Sequence, residues 1–262
     1  MLGIVRTITR INVIAANVFR EVLRDRVLYF LVFYAAALLL GNWMLPHIAS
    51  VTDRKILLDL SLAAMQMLGL VLVFFVGSGL INREIEKRTI VTLMAKPVRR
   101  SELILGKHLG LMAVLAVLIA AMVAIYILTM EFTRTPYPKV ATLVSCVFLW
   151  LQLSLVGAVS IGFGTIMSTL LATMMTIATY FIGILTPDLV ALGKATKNAT
   201  IEQVTRGMYL VLPDLSRLDL KNDAVYNILP ATGDLAQSAA YGILYTVLIL
   251  TFSSFIFSRR EF

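Results

Sequence analysis

The sequence is short of the side chains on which metal sites and most soluble enzymes depend. It contains one cysteine, Cys146, which excludes a disulfide within the chain and leaves a thiolate metal site without a second thiol. Charged residues make up 15% of the chain, whereas a typical soluble domain carries about 25%. The two histidines, His47 and His108, are far apart in sequence. We interpret them as residues at membrane boundaries rather than as metal ligands.

Several motifs of soluble catalysts are also missing from the sequence. There is no Gly-x-x-x-x-Gly-Lys-Ser/Thr phosphate loop, because Gly106-Lys107 and Gly193-Lys194 both lack the upstream glycine. There is no His-Glu-x-x-His and no Gly-x-Ser-x-Gly motif, so a membrane-embedded enzyme of either type is not supported. We therefore predict a chain that is not an enzyme and that binds no cofactor of its own.

What the sequence has in abundance is apolar residues, at 59% of the chain and a mean hydropathy of +0.89. Several apolar runs reach the ~20 residues that a helix needs to cross a bilayer. The charge-free stretch from Val140 to Pro187 would measure roughly 72 Å as one helix, so it must cross twice, with a bend near Gly162–Ser168. We predict an all-α integral membrane protein with six transmembrane helices at 27–45, 60–81, 109–130, 140–163, 168–190 and 238–257.

The N-terminal segment 1–26 has a different pattern, with one basic and one aliphatic face. At about 100° per residue, Arg6, Arg10, Arg20 and Arg24 fall on one side and isoleucine and valine side chains on the other. Such a helix lies in the membrane interface. A secretory signal peptide is disfavoured, because the basic segment is too long and no convincing cleavage site follows.

The distribution of basic residues predicts the orientation. With the N-terminus inside, the cytoplasmic segments hold fourteen of the 23 Lys and Arg residues, most of them in 1–26 and 82–108. Both termini are then cytoplasmic, and the loop 193–237 lies outside. The net charge of +8 is explained by these basic loops facing membrane lipid, so we expect no nucleic-acid partner.

The charged segment 82–108 separates the second span from the third. Glu84 and Arg88 are spaced as an i,i+4 pair on a short helix, which Pro97 ends. Ser101 is then expected to cap a second helix, with Glu102 in its first turn. From these physical features alone, an ordinary basic cytoplasmic loop remains an equal interpretation.

The same segment resembles the signature of ABC type-2 permeases, the membrane subunits of ATP-binding-cassette exporters. The resemblance rests on Glu86 and Thr89, then Leu93, Pro97-Val98-Arg99 and Leu105-Gly106-Lys107, with Arg100 before Ser101 as a small departure. It implies a cytoplasmic coupling helix between spans two and three that docks on an ATPase subunit. The coupling residues that it implies are Glu84, Glu86, Lys87, Arg88, Thr89, Pro97 and Arg99.

The resemblance further implies ATP-driven export by alternating access in a bacterial plasma (inner) membrane. Two ABC ATPase subunits would bind the ATP and Mg, and a second permease copy, as a homodimer, would complete the pathway. Short extracytoplasmic helices are implied before the sixth span, where the capping-box spacing from Thr200 favours a helix that ends near Leu212–Leu215.

Two matters stay open at this stage. An ion-coupled transporter or channel would need ionisable groups inside the bundle, and Asp188, near the outer boundary, is the only acid within a predicted span. Gln66 and Gln152 are more central, and we expect them to form hydrogen bonds between helices.

The sequence does not identify the substrate. Methionines would line a pathway between spans one, two and five, which favours an amphipathic or lipid-linked cargo, but core packing explains them equally well; they are Met65, Met67, Met174 and Met175.

Overall fold

A computed structural model describes residues 2–24, 28–48, 53–86, 99–196 and 212–259, together with positions 200, 202, 203, 205, 207 and 209. Within these residues the chain is helical and contains no β-strand. The helices are α1 (Leu2–Val22), α2 (Leu28–Ile48), α3 (Asp53–Leu72), α4 (Gly79–Glu86), α5 (Arg100–Phe132), α6 (Lys139–Ile166), α7 (Thr169–Ala195), α8 (Lys221–Tyr226) and α9 (Thr232–Ser258). A π-helical turn, Val73–Gly77, joins α3 to α4, and a 3-10 turn, Leu215–Leu218, precedes α8.

Among the described residues, five helical stretches are long and apolar enough to cross a membrane. They are Lys55–Asn82, Arg100–Phe132, Lys139–Ile166, Thr169–Leu189 and Thr232–Ser258. They coincide with the second to sixth predicted spans, so the all-α membrane architecture is confirmed. The first predicted span, 27–45, falls on α2, whose apolar stretch Tyr29–Met44 is shorter. A crossing by α2 therefore stays a prediction.

The bend predicted in the charge-free stretch is confirmed. Helix α6 ends at Ile166, and α7 begins at Thr169 after two non-helical residues. Gly164 approaches the turn after α3, where an added Cβ would lie 2.7 Å from the Ser78 carbonyl oxygen. Gly162 faces Ser253 of α9, whose Oγ would lie 2.7 Å from an added Cβ. The small residues of this helix thus serve packing within one chain.

One predicted helix cap is wrong. Helix α5, which leads into the third predicted span, begins at Arg100, and its N-cap is Arg99 rather than Ser101. The reason is that the Glu102 carboxylate, three residues after the cap, accepts the Arg99 backbone N–H at 3.0 Å. Ser101 consequently lies inside the first turn. The last helix begins at Thr232 and includes the predicted sixth span, 238–257.

The π-helical turn lies where the second span packs against α6 and α7. The Phe74 carbonyl accepts hydrogen bonds from Ser78 Oγ at 2.8 Å and from Thr173 Oγ1 at 3.3 Å. Gly77 permits a close approach to α6, because an added Cβ would lie 2.9 Å from Ser160 Oγ. These hydroxyls satisfy carbonyls that a π turn leaves outside the regular α-helical pattern.

Candidate functional site

The predicted coupling residues lie partly outside the described residues. Lys87, Arg88, Thr89 and Pro97 belong to the segment 87–98, of which the structure describes nothing. The described residues on either side are Glu84 and Glu86, at the end of α4, and Arg99, which caps α5. Only the helical backbone of Glu86 is described. The described flanks therefore define how this segment joins the bundle.

A buried lysine connects these two flanks. Lys107 Nζ lies 2.7 Å from Glu84 Oε1 and also donates a hydrogen bond to the Leu80 carbonyl oxygen. The Lys107 side chain is 5% exposed, so this is an ion pair in a poorly solvated place. Since Leu80 and Glu84 belong to α4 and Lys107 to α5, the ion pair holds together the helices that precede and follow 87–98. The sequence analysis used Lys107 only as part of the Leu105-Gly106-Lys107 resemblance and did not foresee this ion pair.

Two glycines on α5 bring α1 against the same place. An added Cβ at Gly106 would lie 2.8 Å from the Ile14 Cβ, and one at Gly110 would lie 2.7 Å from the Ala15 carbonyl oxygen. Their spacing of four is the small-x-x-x-small pattern that lets helix backbones approach closely in lipid. That pattern was visible in the sequence but was not used in the prediction.

Polar contacts draw α1 and α9 to the first turns of α5. Arg10 Nη1 lies 3.7 Å from Glu102 Oε2, which adds an ion pair between α1 and α5. Arg100 Nη1 donates to the carbonyl oxygens of Phe257 and Ser258, at 2.7 and 3.0 Å, and so caps the end of α9. Helices α1, α4, α5 and α9 thus meet beside the residues that flank 87–98, the predicted coupling segment.

A second polar cluster links three long helices to the loop before α9. Gln66 Nε2 lies 3.3 Å from Gln152 Oε1, 3.2 Å from the Tyr180 hydroxyl and 3.2 Å from Asp219 Oδ2. Gln152 Nε2 donates to the Leu215 carbonyl at 3.2 Å. The expectation that the two glutamines bond between helices is confirmed. The contribution of Asp219 from the loop was not foreseen.

The same loop is also attached to α9. Asp214, which is 5% exposed, accepts hydrogen bonds from Ser216 Oγ at 2.6 Å and Arg217 Nε at 3.0 Å. Its backbone N–H donates to the Tyr241 hydroxyl at 2.8 Å. The hydrogen bond with Asp214 raises the pKa of Arg217, which keeps that side chain charged at any physiological pH. Loop, α7 and α9 therefore form one packed unit.

The histidines and methionines named in the sequence analysis lie in different surroundings. His108 is buried between α5 and α6, with Nε2 3.3 Å from Ser154 Oγ, and its position at a membrane boundary stays a prediction. The side chain of His47 lies outside the described part of the chain. Met65 is fully buried in the core, whereas Met67 and Met174 are exposed. Only the exposed methionines can therefore face a pathway or a second copy.

No acidic or metal-binding cluster was found in the described part of the chain. Asp188 is exposed on α7, one residue after Pro187. No three His, Cys, Asp or Glu side chains among the described residues are grouped as a metal site would require. The polar side chains described above form hydrogen bonds and ion pairs that hold helices together.

One of two comparisons with known proteins found a family that agrees with this helical arrangement. No curated protein matches the chain. A family model described as "ABC-2 family transporter protein" matches residues 12–262, which is nearly the whole sequence. That match agrees with the resemblance seen in 84–107 and with the helical membrane fold. The chain belongs to the ABC-2 family of transporter membrane proteins.

Proposed function

We propose that this chain is the permease subunit of an ABC exporter. It moves a substrate across the membrane by alternating access, driven by ATP hydrolysis in a separate nucleotide-binding subunit. The observation that carries the proposal is the buried ion pair between Lys107 and Glu84, which joins the two helices that flank the family's coupling segment. Membership of the family supports an ATPase partner in general.

The anchoring explains how a push on the coupling segment would reach the membrane. Residues 84–99 dock on the ATPase subunit, with Glu84, Glu86, Lys87, Arg88, Thr89, Pro97 and Arg99 as coupling residues. Because Lys107 holds α4 to α5, a displacement of this segment moves both helices together rather than separating them. The π-helical turn Val73–Gly77 lies between α4 and α3, and such turns often occur at functional positions within helices. Spans two and three then tilt as a pair.

The complete transporter contains two such permeases and two ATPase subunits. ATP and Mg are bound by the ATPase subunits. The homodimer follows from the family resemblance. Helix α2 offers a surface for either lipid or the second copy, because it exposes apolar side chains along its length, among them Val32, Phe33, Leu39, Leu40 and Trp43. The proposal includes six membrane crossings, with both termini in the cytoplasm of a bacterium and the loop 193–237 outside its inner membrane. The distribution of Lys and Arg residues supports this orientation.

The coupling role is tested with the charge reversal Glu86→Lys. The variant is co-expressed with an ABC ATPase subunit from the same genome, and co-purification, ATPase activity and transport in proteoliposomes are measured. We expect loss of the ATPase from the purified complex, or ATP hydrolysis without transport, because a reversed charge opposes docking. The matched control is Glu131→Lys at the other end of α5, where Glu131 makes only an exposed ion pair with Lys139.

Two outcomes would contradict the proposal. One is normal assembly and transport in Glu86→Lys. The other is gradient-driven transport by the purified chain without any ATPase, which would favour the ion-coupled transporter instead.

A further inference from the structure

A groove runs along the outside of the bundle between α5, α6 and α9. It consists of two adjoining cavities of about 420 and 360 Å³ that share Leu105, Val247 and Leu250 as lining residues. Each volume is in the range of small-molecule sites, roughly 300–1,000 Å³. Its lining residues include none of the proposed coupling residues and none of the exposed apolar side chains of α2.

The walls of the groove are apolar, and its two ends are polar. One end is lined by Ser101 and Ser258, where α5 begins and α9 ends. The other end is lined by His108, Ser154 and Thr246. Seven residues separate Ser101 from His108 on α5, which places the histidine about 10 Å deeper at 1.5 Å per residue. The groove thus suits a long amphipathic molecule that lies along the helices.

The shallow end carries positive charge. Arg100 lies over the Phe257 ring at 5.9 Å, where it also caps α9, and Arg259 lies over the ring of Phe255 at 4.6 Å. Phe255 itself lines the groove. No acidic side chain lines either cavity among the residues that the structure describes. Basic residues beside a pocket between membrane helices attract anionic lipid headgroups.

We propose that this groove is a binding site for an anionic phospholipid of the surrounding bilayer. The phosphate lies at Arg100 and Arg259, and one acyl chain follows Leu105, Val247 and Leu250. The inference needs only that the helices lie in a membrane and is independent of any ATPase partner.

The test is native mass spectrometry of the purified full-length chain with added phosphatidylglycerol. Wild type should retain this lipid in preference to phosphatidylcholine. Val247→Trp fills the groove and should lower retention at least tenfold. The matched control is Leu244→Trp on the same helix, since Leu244 is 70% exposed and does not line the groove. Arg259→Gln should weaken phosphatidylglycerol binding about fivefold and leave phosphatidylcholine unchanged.

Equal retention of phosphatidylglycerol in Val247→Trp and Leu244→Trp would overturn the proposal. Loss of the dimer peak in Val247→Trp, with no change in bound lipid, would also overturn it. The groove would then be covered by a second copy of the chain.

Discussion

At the scale of single residues, Gln66 shows what the sequence could and could not reveal. An amide within an apolar helix predicts a hydrogen bond to another helix, and Gln152 and Tyr180 provide it. The third partner, Asp219, is 153 positions away in the loop before α9. No local pattern predicts that contact, because it depends on how the loop folds back onto the bundle.

Replacing this amide should loosen the end of the bundle next to that loop. We expect Gln66→Leu to lower the free energy of unfolding by about 0.6–1.7 kcal/mol, the range of interhelical polar contacts in membrane proteins. Unfolding by sodium dodecyl sulfate in mixed micelles measures it. The control is Gln237→Leu, an exposed position on α9.

A double substitution tests whether the two glutamines act together. Adding Gln152→Leu to Gln66→Leu should cost less than the sum of the single changes, because the hydrogen bond between them is already lost. Full additivity would mean that the 3.3 Å contact contributes nothing measurable.

His108 shows the opposite case, in which the sequence did not reveal the neighbours of a residue. Its position among the charged residues of 82–108 suggested a membrane boundary. Helix α5 begins at Arg100, however, so His108 already lies two turns inside it and faces Ser154 of α6. The charged residues did not mark the helix end, because Glu102 and Lys107 are both paired and buried within the first two turns.

At the scale of elements, the contact between α1 and α5 depends on two glycines. The sequence showed Gly106 and Gly110 four residues apart, but not which helix they would meet. An amphipathic α1 was expected to pack on lipid through its aliphatic face, whereas Val18 and Val22 of that face are buried within the bundle. The spacing of small residues along a helix can be seen in a sequence, but which helix packs against them depends on the tertiary fold.

Filling the second glycine should push α1 away from α5. We expect Gly110→Ala to cost about 1–3 kcal/mol, because the new Cβ meets the Ala15 backbone oxygen at 2.7 Å, and a backbone atom cannot rotate aside. Thermal unfolding of the purified protein in detergent measures the loss. Gly233→Ala is the matched control, since nothing lies within 4 Å of its added Cβ, and we expect it to be neutral or slightly stabilising. Equal melting temperatures for the two variants would refute the close contact.

At the scale of the whole molecule, the sequence predicted the architecture well. Apolar run length indicated the helical spans, and the length of the charge-free stretch required its bend, because both follow from bilayer thickness. The anchoring of the coupling segment could not be predicted. It depends on the pairing of Glu84 with Lys107, whereas the spacing in the sequence suggested a pair of Glu84 with Arg88.

The orientation of the bundle can be tested with single cysteines. Cys146 is buried, so replacing it by alanine gives a background without a reactive thiol at little cost. In that background, a membrane-impermeant maleimide should label Asn222→Cys in intact cells. Ser258→Cys should react only after the membrane is permeabilised, because the distribution of basic residues predicts a cytoplasmic C-terminus. The reverse pattern would contradict the predicted topology.

The pairing of Lys107 with Glu84 also has a consequence for protein engineering. Because the two side chains that fasten the segment lie outside 87–98, these residues can be exchanged without altering the clamp itself. We expect a chimaera that carries the corresponding residues of another permease to keep this ion pair and its bundle. Under the proposed coupling role, it would also take over part of that permease's recognition surface, because Lys87, Arg88, Thr89 and Pro97 would change while Glu84, Glu86 and Arg99 stay.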